Sequence, residues 1–506
     1  MKSSVSGTPT TLSSPKKIKT HSWQESGFVP LLAALGVGLV AVSSDSLWID
    51  EGLSAVKAVA PTPAAAWQEL QAEANTNLHM LLYMFSLWAW EKLVGPSEWA
   101  LRALNIPFYM LGVTALWKAV PRTVRPCLLA FCLVSPFLWF YLNEARTYSM
   151  LFGFSAVATA ALLVWQERPD NPSFAWGKWS WVLALSLAAL IWTHVVGLVF
   201  ELAVAGFLLS RLEIRNLAAW VRQTWPALLF LGVCNLALLA YVAWTKAQGI
   251  EANPIGKTSW LGALYWLYEF GGFAGLGPNR NSLRSGSWQG LASHFPLLAI
   301  LGLAWLGVFL AGWKNLPAQD RRLVSGMGAF LVFLPLLVFL MIGLWQGIRF
   351  LPRYAASSYP AFAVLTSFLL CGLWAGGGWR RWAGLFLLAG LACSSLNLRL
   401  NPVHAKDDYR GVVRWLSAQK IQPETIWWAA DTSTVRFYGM PGVNPVMNLT
   451  PSELAGKSRP AWVVLSKPDV YDGSMALRNF LSQAGAEPEK TFTSFQVYRI
   501  PPSPSP

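Results

Sequence analysis

The apolar residues of this chain gather in continuous runs of roughly 14 to 22 residues, and a helix of about 20 apolar residues is long enough to cross a bilayer. About eleven such runs occur along the chain. They begin near Phe28, Trp99, Leu128, Met150, Trp179, Val195, Trp225, Leu291, Val324, Tyr354 and Trp382. The pattern predicts a polytopic α-helical membrane protein.

Short clusters of basic residues separate these runs. The 506 residues are 54% hydrophobic and 13% charged, with a formal net charge of +14. Such a charge also suits a nucleic-acid partner, but basic clusters between spans are what membrane topology requires. With the N-terminus in the cytoplasm, one register puts every cluster inside: Lys118, Arg122, Arg125, Arg168, Lys178, Arg211, Arg215, Arg222, Lys314, Arg321, Arg322, Arg380 and Arg381. We predict a multi-pass protein of the bacterial inner (plasma) membrane that binds no nucleic acid.

The Ser-, Thr- and Lys-rich residues 1–27 are predicted to be a disordered cytoplasmic tail before an uncleaved first span, and residues 28–397 the membrane domain. The register holds only if the apolar segment Leu78 to Trp90 does not cross, so we expect a juxtamembrane or re-entrant helix in the outer interface. The outer face then collects a long loop, residues 246–290. Its Gly, Trp and Tyr content suits a mobile cover over a sugar or lipid site, or an ordinary loop with interfacial aromatics.

The composition becomes that of a soluble domain near the C-terminus, and residues 398–500 are predicted to form a small extracytoplasmic α/β domain before a disordered end, residues 501–506. Apolar spacing predicts helices at residues 407–419 and 474–484 and strands at 425–430, 461–466 and 494–500. Neither part of the chain contains a phosphate-cradling Gly-rich loop, a HExxH pattern or a GxSxG elbow. Nucleotide hydrolysis, zinc proteolysis and serine hydrolysis therefore lose support.

An acidic pair, Asp50 and Glu51, follows the first apolar run in the segment DSLWIDEG. Carboxylates next to a membrane are costly and are therefore functional candidates, which makes Asp50 a candidate general base. Glu51 is then a partner that positions the acceptor or tunes the basicity of Asp50. The alternative is an acidic helix start, because carboxylates favour the first helical turn. His79 is positioned to orient the pair or bind acceptor hydroxyls, or it is a structural hydrogen-bonding residue.

Three arginines stand in predicted outer turns. Arg146, in NEARTYSM, needs an anionic partner: Glu144, a lipid headgroup or the phosphate of a lipid-linked substrate. Arg349 and Arg353, in GIRFLPRY, form either a phosphate clamp that needs no metal or a pair of interfacial anchors.

Five motifs in order resemble one family. The acidic pair, SEWALR (97–102), EARTYSM (144–150), THVVG (193–197) and RFLPRY (349–354) are similar to the GT-C superfamily of integral membrane glycosyltransferases, in the family 39-like branch of protein mannosyltransferases and aminoarabinose transferases. DDYRGVVRWL (407–416) looks like the start of the soluble domain that many bacterial members carry. The resemblance implies a GT-C fold with about 11 to 13 transmembrane helices, juxtamembrane helices and a C-terminal α/β domain.

The resemblance also implies transfer of a sugar, a mannose-like hexose or a modified pentose, from a polyprenyl-phosphate donor to a lipid, protein or glycan acceptor at the outer face, with inversion. Asp50 matches the family's catalytic base and Glu51 its acidic partner. Residues expected to bind the donor phosphate or the substrate are Arg146, Arg349, Arg353, His194, His79, Tyr148 and Glu144. The chain departs from the family after the acidic pair, where Leu78-His79-Met80 replaces His-Pro-Pro.

Two other functions remain open at this point. In a transporter or flippase of anionic lipids the arginines would guide headgroups, although no repeated pattern of broken helices is visible in the two halves. An oligosaccharide ligase or polymerase would use the same type of donor. No cofactor is expected, and a divalent cation at Asp50 and Glu51 is possible but not required.

Overall fold

The structure, a computed structural model, describes residues 27–73, 76–166, 176–212, 214–249, 258, 261–286, 289–347, 351–378 and 380–501. The first half contains α1 (Phe28–Ala41), α2 (Ile49–Ala58), α3 (Pro63–Glu73), α4 (Leu81–Val94), α5 (Glu98–Ala103), α6 (Asn105–Ala119), α7 (Arg125–Val134), α8 (Pro136–Leu142), α9 (Tyr148–Gln166), α10 (Trp176–Thr193), α11 (Gly197–Arg211) and α12 (Ile214–Ala247). The rest of the membrane domain contains α13 (Leu261–Phe270), α14 (Arg280–Gly286), α15 (Gln289–Ala292), α16 (Phe295–Asn315), α17 (Ala318–Met327), α18 (Leu334–Gln346), α19 (Tyr359–Ala375) and α20 (Arg380–Leu400).

Six helical segments among the described residues are long and apolar enough to cross a membrane: Tyr148–Gln166, Leu217–Ala247, Phe295–Asn315, Ala318–Gln346, Pro352–Ala375 and Arg380–Leu400. A seventh arises if α7 and α8, bent by 54°, form one broken span. The bend has a local cause, because Pro136 opens α8 and the Ser135 hydroxyl accepts a hydrogen bond from the Leu138 amide. The chain is a multi-pass membrane protein, and the number of 11 to 13 spans stays a prediction.

The spans divide into buried and peripheral helices. The apolar window of α9 is 83% buried in the protein, whereas that of α12 is 11% buried. α9 lies close to α6 because position 153 is glycine: a Cβ there would lie 2.8 Å from the Phe108 carbonyl oxygen. α12 instead exposes leucines such as Leu229 and Leu236, as a helix that faces lipid does.

Several short elements depart from the predicted pattern. The juxtamembrane segment is a 3₁₀ turn (Thr76–His79) followed by α4, so its helix begins and ends later than predicted. The described part of the predicted long loop contains α13 and α14, which makes it a folded element rather than an irregular cover. Its Tyr and Trp residues recur at helical spacing, and Tyr265 stacks on Tyr268. Further 3₁₀ turns are Pro352–Ser358, Pro402–His404 and Pro423–Thr425, and a π-helical stretch, Gly328–Phe333, joins α17 to α18.

The C-terminal domain has its own hydrophobic core around a five-stranded sheet in the order β2-β1-β3-β5-β4. Its elements are α21 (Tyr409–Ala418), β1 (Ile426–Ala429), α22 (Thr432–Phe437), β2 (Asn444–Pro445), α23 (Pro451–Ala455), β3 (Trp462–Ser466), α24 (Pro468–Tyr471), α25 (Ala476–Gln483), β4 (Pro488–Phe492) and β5 (Phe495–Arg499). The two predicted helices and three predicted strands are confirmed to within about two residues. β4 went unpredicted because its PEKTF sequence is polar and mostly exposed.

This domain packs directly on α2. Gly52 faces Thr434 of α22 so closely that a Cβ at position 52 would lie 1.9 Å from the Thr434 hydroxyl oxygen. Ile49 packs against the core of the C-terminal domain, and Phe437 and Tyr438 pack against the cluster beneath α2 and α4. We call the end of the helix bundle that carries α2 and this domain the site face.

Candidate active site at the start of helix α2

Helix α2 presents Asp50 and Glu51 in its first turn. Trp48 is the extended N-cap residue, and its amide donates to Glu51 Oε2 at 3.4 Å. Adjacent helical positions are about 100° apart around the axis, so the two carboxylates point into different surroundings. The acidic helix start and the pair of carboxylates, which the sequence offered as alternatives, are therefore both present in this turn.

Glu51 is fully buried and surrounded by donors from three other segments. Arg102 donates from Nε to Oε1 at 2.7 Å and from Nη2 to Oε2 at 2.8 Å. The Ala145 amide lies 2.7 Å from Oε1 and Lys406 Nζ lies 2.9 Å from Oε2. Burial favours the neutral acid, but Arg102 and Lys406 outweigh it and lower the pKa of Glu51 to about 2. Glu51 thus ties α2 to α5, to the turn before α9 and to the segment after α20.

Arg102 is the centre of this network and was not singled out from the sequence, although it belongs to the SEWALR motif. Its Nη1 donates to the carbonyl oxygens of Ser43 and Asp45, at 2.9 and 2.7 Å, and its Nη2 to that of Ser46 at 3.2 Å. These bonds hold the extended segment before α2. The sequence signal that could have identified Arg102 is its place as a lone arginine within an apolar stretch, because such a charge needs partners.

Asp50 has a more open environment. Its Oδ2 lies 2.7 Å from Arg353 Nη1, and its side chain is 20% exposed. Burial acts to raise the pKa of Asp50, but the Arg353 and Arg146 guanidinium groups outweigh it and lower that pKa below its ordinary value. Asp50 is therefore an ionised carboxylate at neutral pH, with one charged contact and access to solvent.

Arg146 binds protein groups around Asp50. Its Nη1 donates to the Asp50 carbonyl at 3.1 Å, the Ser54 hydroxyl at 3.0 Å and Asn77 Oδ1 at 2.8 Å. Its Nε has no hydrogen-bond partner in the described part of the chain. Arg146 therefore joins α2 to the 3₁₀ turn before α4.

The two predicted histidines lie in neighbouring turns, because the Val195 amide donates to the His79 carbonyl oxygen at 3.2 Å. His79 Nε2 lies 3.1 Å from the Thr245 hydroxyl, and His194 Nδ1 accepts from the Val196 amide at 3.2 Å. Burial first, and then the nearby Arg146, lower the pKa of His194 to about 3, while burial lowers that of His79. His194 is therefore an uncharged imidazole at neutral pH.

A cavity of about 620 Å³ opens beside the Asp50–Arg353 pair. Its wall combines aromatic rings with charged groups contributed by both domains: Asp45, Trp48, Trp139, Phe140, Tyr141, Glu144, Tyr265, Tyr268, Glu269, Arg280, Arg353, Arg399, Lys406, Asp407 and Lys467, among others. Arg353 therefore lies between Asp50 and the cavity, and its guanidinium is 5.9 Å from the centre of the Tyr148 ring. A wall that combines aromatic surfaces with charged groups suits an amphiphilic ligand.

Several charged residues of this wall were missed by the sequence analysis. Arg280 Nη2 binds Glu269 Oε1 at 2.7 Å, and its guanidinium lies 3.6 Å from the centre of the Phe140 ring. Lys467 pairs with Asp407 and lies 5.8 Å from the Trp48 ring, and Lys406 binds Glu51. Glu269 and Arg280 belong to the predicted loop and the lysines to the soluble domain, so no local pattern connected them with Asp50.

The structure brings together the predicted residues Asp50, Glu51, His79, Glu144, Arg146, Tyr148, His194 and Arg353. Arg349 lies outside the described residues. Among the residues that the structure describes, no group of three or more His, Cys, Asp or Glu side chains is arranged to hold a metal ion. The catalytic and binding roles of these residues stay predictions.

No protein-family model and no curated protein sequence matches this chain. The fold is similar to that of ArnT from Cupriavidus metallidurans in the apo state, with a TM-score of 0.54 and 14% identity over 93% of this chain and 97% of that one. The same protein bound to undecaprenyl phosphate gives a TM-score of 0.54 and 16% identity over the same shares. The Archaeoglobus fulgidus oligosaccharyltransferase in complex with Zn and sulfate gives 0.48 and 11% over 86% and 68%.

At these identities the similarity establishes the fold. The similarity to ArnT extends over almost the whole of both chains. The predicted fold class is confirmed: this chain has the GT-C fold.

Proposed function

We propose that this protein transfers a sugar from a polyprenyl-phosphate donor to an acceptor hydroxyl, with inversion at the anomeric carbon. The observation that carries the proposal is the Asp50–Arg353 pair at the edge of the cavity: an ionised, partly exposed carboxylate bound at 2.7 Å to an arginine that also lines the wall. The fold supports it, because ArnT, which shares this fold, has been crystallised with undecaprenyl phosphate.

The chemistry needs one base and one anion site. Asp50 takes the proton of the acceptor hydroxyl, the hydroxyl oxygen forms a bond to the anomeric carbon, and the bond from that carbon to the phosphate oxygen breaks. The electron pair leaves with the polyprenyl phosphate, whose developing charge a fixed guanidinium stabilises. Arg353 is the candidate for that guanidinium, because it reaches both Asp50 and the cavity.

Arg353 would then couple the two parts of the reaction. In the absence of a ligand its positive charge, together with that of Arg146, lowers the pKa of Asp50 and makes that carboxylate a weak base. A phosphate in the cavity competes for the same guanidinium, and the competition would raise the pKa of Asp50. Donor binding would thus produce a stronger base when an acceptor can be used.

We place the reaction at the outer face of the inner membrane, with the N-terminus in the cytoplasm and the C-terminal domain outside, as the basic clusters predict. A mannose-like hexose or a modified pentose is the sugar proposed, and the acceptor is a lipid, protein or glycan. We propose no metal for this reaction, because the arginines can neutralise the leaving phosphate.

The test is turnover of polyprenyl-phosphate sugars by purified protein in detergent, scored by mass spectrometry as released polyprenyl phosphate. Asp50→Asn should reduce release by about 100-fold or more, because a general base contributes about 10² to 10⁴ in rate. The matched control is Asp320→Asn in α17, outside the wall of the cavity, which should keep wild-type activity. Wild-type turnover that survives in Asp50→Asn contradicts the role of Asp50. Donor binding without turnover by the wild type favours transport.

A further inference from the structure

One carboxylate of the cavity wall has no hydrogen-bond donor. Glu144 is fully buried, and neither of its carboxylate oxygens accepts a hydrogen bond from any residue that the structure describes. Arg280 Nη1 lies 3.7 Å from Oε1, which is an ion-pair separation rather than a hydrogen bond. Both oxygens of Glu144 therefore retain their capacity to accept hydrogen bonds.

The other carboxylates of the same wall are occupied. Glu269 accepts from Arg280 at 2.7 Å and from the Tyr141 hydroxyl at 3.1 Å. Asp407 is bound by Lys467, and Asp45 accepts from the Ser43 hydroxyl at 2.7 Å. Glu144 differs from them although it lies in the same cavity.

A buried carboxylate without donors is costly to a fold, so a native protein retains one where a ligand or a change of protonation compensates for it. Burial is the largest influence on Glu144 and raises its pKa to about 7, against the opposing effects of Arg280 and Lys406. Because no residue that the structure describes donates to the Glu144 carboxylate, the group open to hydrogen-bond it in either protonation state is one that enters the cavity. It must supply hydrogen-bond donors.

The charges around Glu144 decide between the two donor groups that sugars carry. Arg280, Lys406 and Arg353 all act electrostatically on Glu144, and all three line the same cavity. Glu51 opposes them, so the charged groups that act most strongly on Glu144 are three cations and one anion. This positive surrounding disfavours an ammonium group relative to a neutral hydroxyl. Trp48, Trp139 and Tyr265 supply the apolar faces against which a sugar ring packs.

We propose that Glu144 is a specificity-determining residue that accepts hydrogen bonds from neutral hydroxyl groups of the transferred sugar. The assignment rests on the proposed function, because it takes the cavity to be the donor site. It makes a neutral hexose, rather than an amino sugar, the preferred cargo. The lipid phosphate is assigned to other groups, so Glu144 should affect recognition of the sugar alone.

The experiment compares three ligands on the full-length protein in lipid nanodiscs: undecaprenyl phosphate, undecaprenyl-phosphate mannose and undecaprenyl-phosphate aminoarabinose. Wild type should bind the mannose donor at least about 10-fold more tightly than the aminoarabinose donor. Glu144→Gln should weaken binding of the mannose donor by about 10- to 100-fold, the effect of losing hydrogen bonds to a charged acceptor. Its affinity for undecaprenyl phosphate should stay within about twofold of wild type.

Two further variants test whether the effect of Glu144→Gln comes from a general loss of structure. Glu144→Asp keeps the charge one methylene further from the ligand and should recover part of the mannose affinity. Glu201→Gln changes another glutamate with an oxygen that lacks a partner among the described residues, but Glu201 lies in α11 away from the cavity wall. It should leave all three affinities unchanged.

The outcomes separate this inference from the proposed function. If the mannose donor binds and turns over equally well in wild type and Glu144→Gln, the role of Glu144 is contradicted and the proposed function stands. A wild-type preference for aminoarabinose that disappears in Glu144→Gln overturns the assignment of neutral hydroxyls. If wild type binds none of the three lipids, the donor site and the inference fail together.

Discussion

The two sides of the first turn of α2 show how neighbouring carboxylates acquire different properties. On one side Glu51 is fully buried, with two bonds from Arg102 and one each from Lys406 and the Ala145 amide. On the other side Asp50 has one charged hydrogen-bond partner, Arg353, and is partly exposed. A carboxylate with all its acceptor sites filled holds structure together, whereas one with free sites can accept a proton from a substrate.

The largest effect should come from removing the charge on the buried side. Glu51→Gln leaves Arg102 and Lys406 buried without their anion, and breaking such a network should reduce the free energy of unfolding by about 3–5 kcal/mol. Asp50→Asn should cost less, because its side chain and that of Arg353 both reach solvent. Thermal midpoints of both variants in detergent check this. Equal midpoints would mean that the two sides do not differ in this way.

The thermal stability of wild type and that of Glu51→Gln should respond differently to acid. The pKa of Glu51 is lowered from 4.5 to about 2, so its ionised form contributes stability that is fully present above about pH 4.5 and is lost as the pH falls towards 2. A displacement of this size corresponds to about 3 kcal/mol. The difference in thermal midpoint between wild type and Glu51→Gln should therefore shrink from pH 7 to pH 3. A difference that stays constant would exclude Glu51 as the titrating group.

A smaller loss of stability should follow from forcing the C-terminal domain away from α2. A methyl group on Gly52 would meet Thr434 at 1.9 Å, so Gly52→Ala should push the C-terminal domain away from α2. Overpacking of this kind costs about 1–3 kcal/mol. Limited proteolysis should cleave the C-terminal domain sooner in Gly52→Ala than in wild type.

The matched control for that change is Gly302→Ala in α16, where an added Cβ meets no atom within 4 Å. It should match wild type or be slightly more stable, because alanine favours helix. If Gly52→Ala resists protease as well as Gly302→Ala does, the close contact with Thr434 does not constrain the domain.

The predictions that succeeded rest on local patterns. Apolar runs identified the spans that the structure retains, and alternating or helical spacing located β1, β3, β5, α21 and α25. Asp50 was found because ionisable groups next to apolar runs are rare enough to attract attention. Lys406 and Arg280 carried no such signal, because each lies far from Asp50 in sequence and reaches the wall of the same cavity only through folding.

The sequence by itself determined that this is a polytopic helical membrane protein with a small α/β domain, because membrane insertion and strand formation follow hydrophobic patterns over short stretches of chain. It also determined which residues at the start of α2 carry negative charge. Only the tertiary structure decided that Glu51 is satisfied by Arg102 and Lys406, that Asp50 shares Arg353 with a cavity, and that Glu144 has no donor. The role of a carboxylate depends on the number of donors within about 3 Å, and those donors come from segments that only the fold brings together.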